Sequence, residues 1–257
     1  MARQLKSPRE IDAIARAGSV VAKVLHRLGE MCQPGVRTLE LDAQADRLCR
    51  ELGGESLFRG VPGRGGPFPG NICCSINEQV VHGIPSERRV QEGDIVSVDY
   101  GCRLDGWCAD AAATFIVGEI PPRVRQMVQA TREALEMALG RCRPGVLWST
   151  VARAMQQHVE GQGFSLVREL VGHGIGKAMH EDPKVPNFVS RELLVRDILL
   201  ESGLVIAVEP MVCLGGYDIK VLSDGWTVAT RDGEPSAHFE HTLAIVPGGV
   251  RVLTTEG

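Results

Sequence analysis

The spacing of hydrophobic and polar residues predicts two helices at the start of the chain. From Ser7 onward, the hydrophobic positions follow one face of a helix as far as Met31. Ser7 and Glu10 have the spacing of a capping box, and Pro8 between them suits the first turn of a helix. We expect a second helix to be capped by Thr38 and to end at the next pair of glycines.

A β-hairpin is predicted over residues 95–117, where two hydrophobic runs flank the turn signal Asp105-Gly106. Two registers are open, because the loop could be this dipeptide or the one that starts a residue earlier. In both registers Asp99 and Asp110 lie on one face, about 4.5–8 Å apart. Like charges so close on hydrophobic strands destabilise a hairpin unless a cation lies between them. The hairpin therefore indicates a carboxylate metal site.

Features of the first half recur in the second half at an offset of 110 residues. The pattern Cys-x-Pro-Gly-Val occurs at Cys32 and again at Cys142, each time before a predicted helix. At the same offset, the strand that ends in Asp99 corresponds to the strand that ends in Glu209. Two matches at one offset favour an internal duplication, with two helices on a small antiparallel sheet in each half. The predicted boundaries are one domain over 1–257, with halves of about 1–120 and 121–257.

Composition and charge narrow the class of protein. A chain of 257 residues with 44% hydrophobic residues can form a substantial core. The formal net charge of −4, without a run of basic residues, argues against binding to nucleic acid or to a membrane surface. The sequence shows no signal peptide or membrane span, so we expect a cytoplasmic protein. The eight cysteines are dispersed, which predicts reduced thiols.

Three further residues with metal-binding chemistry occur in the second half. His173 is flanked by glycines, Glu209 ends a predicted strand, and Glu240 starts a hydrophobic run. With Asp99 and Asp110 they make four carboxylates and one imidazole. This set suits two divalent ions, with bridging carboxylates and an open position for water. A structural zinc site would take four Cys or His ligands, and the spacing for such a site is absent.

The chain also carries a series of longer motifs. They are Val80-Val-His-Gly-Ile-Pro85, Gly172-His-Gly-Ile-Gly176 with His180-Glu181, Glu209-Pro210-Met211, Trp226-Thr-Val and Glu240-His241-Thr242. In these motifs, and over essentially its whole length, the sequence resembles the bacterial type I methionine aminopeptidases, which are pita-bread metallopeptidases. The resemblance implies an α/β (α+β) fold with pseudo-twofold symmetry, in which two halves surround a central antiparallel sheet. It also implies a hydrolase that removes initiator methionine from nascent proteins and peptides.

The resemblance assigns a metal-binding role to five residues and a catalytic role to three. The predicted metal ligands are Asp99 for one ion, His173 and Glu209 for the other, and Asp110 and Glu240 as bridges. The cofactor would be two divalent ions, drawn from cobalt, manganese, iron, zinc and nickel, and a water bridging them would attack the scissile carbonyl. Glu209 would act as general base, His180 would stabilise the oxyanion, and His82 would position the amide nitrogen or donate a hydrogen bond towards it. A monovalent cation is implied near Asn77, Gln79 and Ser236.

The predicted substrate pocket departs from the family pattern. Its residues are His82, His180, Phe68, Cys73, Trp226 and Met179. The segment Arg64–Pro69 replaces a family segment with more aromatic residues, Leu170 stands where close relatives have tyrosine, and Met179 replaces an aromatic residue. Because glycine backbone and a flexible thioether replace rigid rings, we expect a looser pocket for methionine. No role is predicted for His26, His158, His238 and His241.

Two other functions remain open at this stage. The first is an Xaa-Pro-type dipeptidase of the same fold, and the second is a non-catalytic binding protein built on this fold, although such proteins typically lose metal ligands. The expected partners are peptides and nascent chains that begin with methionine, with the ribosome as a further candidate. We expect no nucleic acid or membrane partner, and we expect a monomer because nothing in the sequence demands an oligomer.

Overall fold

The computed structural model describes residues 4–256 as an α/β fold in which helices pack on antiparallel sheets. The helices in this range are α1 (Pro8–Met31), α2 (Thr38–Glu51), α3 (Pro122–Arg141), α4 (Trp148–Gly161) and the short α5 (Arg191–Val195). The strands of the large nine-stranded sheet are β1 (Glu55–Ser56), β2 (Cys73–Ile76), β4 (Ile95–Leu104), β5 (Trp107–Ile116), β7 (Gly172–Gly174), β8 (Glu181–Val185), β9 (Val205–Val208), β14 (Glu240–Val246) and β15 (Gly249–Val252). One three-stranded sheet contains β3 (Gln79–Val81), β11 (Ile219–Val221) and β12 (Val228–Thr230). The other contains β6 (Ser165–Leu166), β10 (Met211–Cys213) and β13 (Ser236–His238). None of the described helices is long and hydrophobic enough to cross a membrane.

The first helix has the predicted limits and the second differs at its cap. The Ser7 hydroxyl accepts from the Glu10 N–H at 3.4 Å, and the Glu10 carboxylate accepts from the Ser7 N–H at 2.7 Å, which completes the capping box. The prediction of Thr38 as an N-cap is wrong, because α2 begins at Thr38 and Arg37 precedes it. The Thr38 hydroxyl instead donates to the carbonyl oxygen of Ser86 at 3.0 Å.

The hairpin of β4 and β5 has Asp105 and Gly106 in its loop. Both residues have positive φ, 51° and 80°, as a tight two-residue hairpin turn requires. Asp99 pairs with Ala112, two residues from Asp110. The two aspartates are therefore diagonal neighbours on one face of the hairpin, and of the two registers left open by the sequence the structure has the one with Asp105-Gly106 as the loop.

Backbone contacts of the first half recur at the offset of 110 residues. The isolated bridge between Arg37 and Arg89 has a counterpart between Leu147 and Leu199. Helices α2 and α4 are both 14 residues long and start at corresponding positions. These contacts support a duplication, while the boundaries of the domain and its halves stay predictions.

Each long helix pair has a hydrophobic core of its own. Helices α1 and α2 pack with residues of β2, β4 and β5, and α3 and α4 pack with residues of β9 and β14. On β9, Ile206 and Val208 belong to the core of α3 and α4. Because side chains alternate along a strand, Ala207 faces the opposite side of the sheet. That side carries the site described below.

We predict opposite effects for the same substitution at two helical glycines. A Cβ at Gly18 of α1 would lie 2.1 Å from the Leu253 carbonyl oxygen, whereas a Cβ at the exposed Gly140 of α3 would meet nothing within 4 Å. Gly18→Ala should lower the free energy of unfolding by about 1–3 kcal/mol, because backbone must move. Gly140→Ala should raise it by about 0.5–1 kcal/mol through helix propensity. Urea unfolding measures both, and equal effects would contradict the described packing.

Candidate metal centre and active site

Five neighbouring strands of the large sheet each position one predicted metal ligand. In the sheet order β4, β5, β14, β9 and β7, these residues are Asp99, Asp110, Glu240, Glu209 (directly after β9) and His173. Asp99 and Glu240 both pair with Ala112. His173 pairs with Ala207, two residues before Glu209. Since alternate residues share a face, all five side chains project from the same side of the sheet.

The distances between these side chains suit shared ions. One ligand atom each from Asp110, His173 and Glu240 lies within 4.8 Å of the other two. His173 Nε2 is 3.7 Å from Glu209 Oε1. Two atoms bound to one ion at about 2.1 Å can be at most about 4.2 Å apart. The separation of His173 and Glu209 therefore fits a common ion.

The carboxylates repel one another in a buried environment. Burial, with the charges of Asp110 and Glu209, raises the pKa of Asp99 well above its ordinary value. Burial raises the pKa of Asp110 to about 7. Hydrogen bonds with the Asp99 side chain and the Ala111 backbone act in the opposite direction and lower this pKa. Burial and neighbouring carboxylates also raise the pKa of Glu209 and of Glu240.

Several oxygen atoms of this cluster are buried and unpartnered. They are Oδ1 of Asp99, Oδ1 of Asp110 and Oε1 of Glu240, which have no hydrogen-bond partner among the described residues. Buried charged oxygens without partners are costly, and divalent cations would supply both the missing contacts and the missing positive charge. The residues present therefore fit two divalent ions.

His173 presents the correct nitrogen to such an ion. Its Nδ1 lies 2.9 Å from the carbonyl oxygen of Gly174. A carbonyl can only accept, so Nδ1 carries the proton and Nε2 keeps its lone pair for a metal. Burial, with the charge of His180, lowers the pKa of His173 to about 4. The imidazole is therefore neutral at pH 7.

The two predicted catalytic histidines lie in the same cavity. The ring of His180 is 4.4 Å from that of His173, edge to face. His82 lies in an edge-to-face contact with Trp226 at 6.3 Å, and its φ of 58° is unusual for a residue with a side chain. Backbone conformations of this kind cost about 1–3 kcal/mol and concentrate at functional sites. Burial lowers the pKa of both histidines, which favours their neutral forms.

His238 also lies in this site, although its sequence context predicted no role. Its side chain is 2% exposed, and its Nε2 is 3.9 Å from both Glu209 Oε2 and Glu240 Oε2. Backbone hydrogen bonds in both directions with the Thr114 hydroxyl hold it beside β5. The structure therefore adds His238 to the residues that line the site, while the expectation that it has no role stays untested. Its spacing of two residues from Glu240 was the available signal, because such residues share a face in extended chain.

The predicted substrate residues form the hydrophobic wall of a cavity of about 1000 Å³. Its wall includes Phe68, Cys73, Met179, Trp226 and Leu170. The rings of Phe68 and Trp226 are 5.1 Å apart in an edge-to-face contact. Cys73 is buried, and burial raises the pKa of its thiol well above the ordinary value. Cys73 thus lines the pocket as an unreactive thiol.

The glycine-rich loop that precedes Phe68 is packed closely against Trp226. A Cβ at Gly63 would lie 2.2 Å from the Trp226 ring, and a Cβ at Gly65 would lie 2.0 Å from the Asp224 carbonyl oxygen. Trp226 Nε1 donates to the carbonyl oxygen of Gly66 at 3.0 Å. The glycines therefore allow this loop to pack closely on Trp226, while the looser methionine pocket expected from the sequence stays a prediction. The effect of Leu170 and Met179 on the pocket stays a prediction.

The residues of the predicted monovalent-cation site also lie together. The Ser236 hydroxyl is 3.5 Å from the Asn77 carbonyl oxygen and 3.3 Å from that of Gln79. The Asn77 side chain donates to Asp94 at 2.8 Å. The binding of a cation by these groups stays a prediction.

An antiparallel sheet that gathers carboxylates and an imidazole beneath a hydrophobic cavity defines a metallopeptidase of the pita-bread class. The sequence profile of metallopeptidase family M24 matches residues 12–247, and the chain belongs to this family. The predicted resemblance and fold class are thereby confirmed. The individual roles of the site residues stay predictions.

Similar proteins cover nearly the whole chain. It is 42% identical to a methionine aminopeptidase of Clostridium perfringens over 250 residues, which cover 97% of this chain and 98% of that protein. The solved methionine aminopeptidase of Thermotoga maritima has a TM-score of 0.93 at 39% identity, covering 99% of this chain and 100% of that one. A prolidase from Pyrococcus furiosus shares the fold alone, with a TM-score of 0.78 at 21% identity over 66% of its own chain.

We predict that binding of Mn(II) at pH 6 releases protons. Metal ligands bind as carboxylates, and groups with a raised pKa, such as Asp110 at about 7, still hold protons at pH 6. The release should decrease as the pH rises above 7, and the apparent affinity should increase over the same range. Isothermal titration calorimetry in buffers of different ionisation enthalpy measures the number of protons released.

Matched variants on one hairpin test the ligand assignment in the same titrations. The variants Asp110→Asn and, on β14, Glu240→Gln should bind Mn(II) more weakly than the wild type and retain almost no peptidase activity. Asp105→Asn, in the exposed turn, should behave like the wild type. The proposed centre would be contradicted if the heat of Mn(II) binding did not depend on the buffer. It would also be contradicted if both site variants bound metal with the normal stoichiometry.

Proposed function

We propose that the protein is a metal-dependent methionine aminopeptidase that removes initiator methionine from nascent proteins and peptides. The convergence of four carboxylates and His173 beneath a hydrophobic cavity is the observation that carries this proposal. The similarity to methionine aminopeptidases along nearly the whole chain supports it. A hydrophobic wall suits the methionine side chain at the start of a peptide.

The proposed mechanism assigns one task to each group. The five predicted ligands would hold the two ions, which would supply Lewis acidity to polarise the scissile carbonyl and to make water a better nucleophile. Glu209 takes the proton of the attacking water and delivers it to the leaving amine. His180, whose pKa is lowered by burial so that the neutral imidazole is favoured, donates a hydrogen bond to the developing oxyanion. His82 holds the amide nitrogen of the substrate.

This function also implies a cellular location and an oligomeric state. An enzyme that acts on new chains works in the cytoplasm, and we propose that it meets its substrates as they leave the ribosome. One chain supplies all five predicted ligands, so we propose that the enzyme acts as a monomer.

We predict that the Mn(II)- or Co(II)-loaded protein cleaves Met-Ala-Ser and leaves Xaa-Pro dipeptides intact. The hydrophobic wall favours the methionine side chain, and rejecting a side chain of poorer fit is worth about 1–3 kcal/mol in such a pocket. The measurement is kcat/KM for Met-Ala-Ser, Leu-Ala-Ser and Ala-Pro. Preferential cleavage of Ala-Pro would favour a dipeptidase, and the absence of any cleavage would favour a binding protein.

His180→Ala separates a catalytic histidine from a metal ligand. We expect this variant to retain both ions and to lose about 10²–10³-fold in kcat, the usual scale for one oxyanion donor. His26→Ala, at an exposed position of α1, serves as the control and should match the wild type. Metal analysis accompanies the kinetics, since loss of an ion from His180→Ala would place His180 among the ligands instead.

A further inference from the structure

A buried lysine connects the segment before α1 to the active site. The Lys6 side chain is 4% exposed, and its Nζ lies 2.7 Å from Glu181 Oε2 and 3.3 Å from Gln4 Oε1. The Lys6 N–H donates to the carbonyl oxygen of Gly203 at 2.6 Å, which fixes the segment at its backbone as well. Lysine is rarely so buried unless its charge is paired. The ion pair with Glu181 meets that requirement.

Glu181 closes the turn that presents His180. Its second oxygen, Oε1, accepts from the Ala178 N–H at 3.2 Å. The carbonyl oxygen of Ala178 in turn accepts from the Gly176 N–H at 3.1 Å. The carboxylate of Glu181 therefore joins the turn of residues 176–181 on one side and Lys6 on the other.

The packing at Gly176 shows how closely this ion pair sits against the turn. A Cβ at Gly176 would lie 2.7 Å from Glu181 Oε1 and 2.7 Å from Lys6 Nζ. The charged ends of Lys6 and Glu181 therefore lie directly against the backbone of the turn at Gly176.

We propose that Lys6 is a positioning residue for His180, acting through Glu181 and the turn of residues 176–181. This inference rests on the proposed function, in which His180 stabilises the oxyanion. Without Lys6, the carboxylate of Glu181 has no partner for its charge and turns toward water, because a half-buried charge is costly when unpaired. The Ala178 N–H then loses its acceptor, and the imidazole of His180 is no longer held in place.

The kinetic test is a double-mutant cycle between Lys6→Met and His180→Ala. Lys6→Met should lower kcat by about 10–100-fold, the usual effect of losing a group that orients a catalytic residue, with KM and metal content close to wild type. In the His180→Ala background the same substitution should cost less than about 2-fold, since the histidine it positions is absent. Lys23→Met, at an exposed position of α1, is the control and should leave kcat unchanged.

A spectroscopic measurement tests the same inference without catalysis. The ring ¹H–¹³C resonance of His180, assigned by its loss in His180→Ala, should shift or broaden in Lys6→Met, while that of the exposed His26 should not. Glu181→Gln keeps the acceptor for Ala178 but removes the charge that pairs with Lys6, so it should give a smaller shift in the same folded background. If urea titrations show that Lys6→Met is unfolded, the double-mutant cycle and the His180 resonance are measured with Glu181→Gln instead.

Two results would overturn the positioning role. One is an unchanged His180 resonance in a folded Lys6→Met or Glu181→Gln protein. The other is an equal loss of kcat in the wild-type and His180→Ala backgrounds, which would indicate a general structural effect. Both results are distinct from failure of the proposed function, because that failure would appear as absent cleavage of Met-Ala-Ser by the wild-type protein.

Discussion

Repulsion among four crowded carboxylates, two of them buried and two half-buried, is the constraint on which the site depends. Asp99, Asp110, Glu209 and Glu240 occupy neighbouring strands, and the backbone pairing of those strands prevents them from separating. Burial of such a cluster raises the pKa of each group, and several of their oxygens have no partner among the described residues. The sheet thus maintains an arrangement that is unfavourable without cations and favourable with them. The neutral His173 adds the nitrogen ligand, with its orientation set by a backbone carbonyl.

The site lies where strands from the first and second halves of the chain meet. Asp110, on the hairpin, donates its N–H to the Thr242 hydroxyl at 3.0 Å, and this hydroxyl donates back to the Asp110 carbonyl oxygen at 2.7 Å. The pairing of β5 with β14 is short, involving Glu240 and His241. These contacts bring Asp110 and Glu240 together although 130 residues separate them in sequence. Formation of the metal centre is therefore coupled to the packing of both helix pairs.

The parts of this site that depend on local patterns could be predicted from the sequence. The alternation of residues in the hairpin placed Asp99 and Asp110 on one face, and motif resemblance placed the other three ligands. Contacts between distant segments leave no such periodic signal. The ion pair of Lys6 and Glu181 joins residues 175 positions apart, and the position of His238 depends on how β13 lies beside β5. The tight packing of the glycine-rich loop on Trp226 likewise appears only once the chain is folded.

Anomalous diffraction from crystals of the Mn(II)-loaded protein, recorded at the manganese absorption edge, tests the central claim most directly. Two peaks are expected on the acidic floor of the cavity. One should be contacted by Asp99 and the other by His173 and Glu209, with carboxylate oxygens of Asp110 and Glu240 reaching both. A map with no peak among these residues, or with ions bound elsewhere while the protein cleaves Met-Ala-Ser, would contradict the assignment of the metal centre.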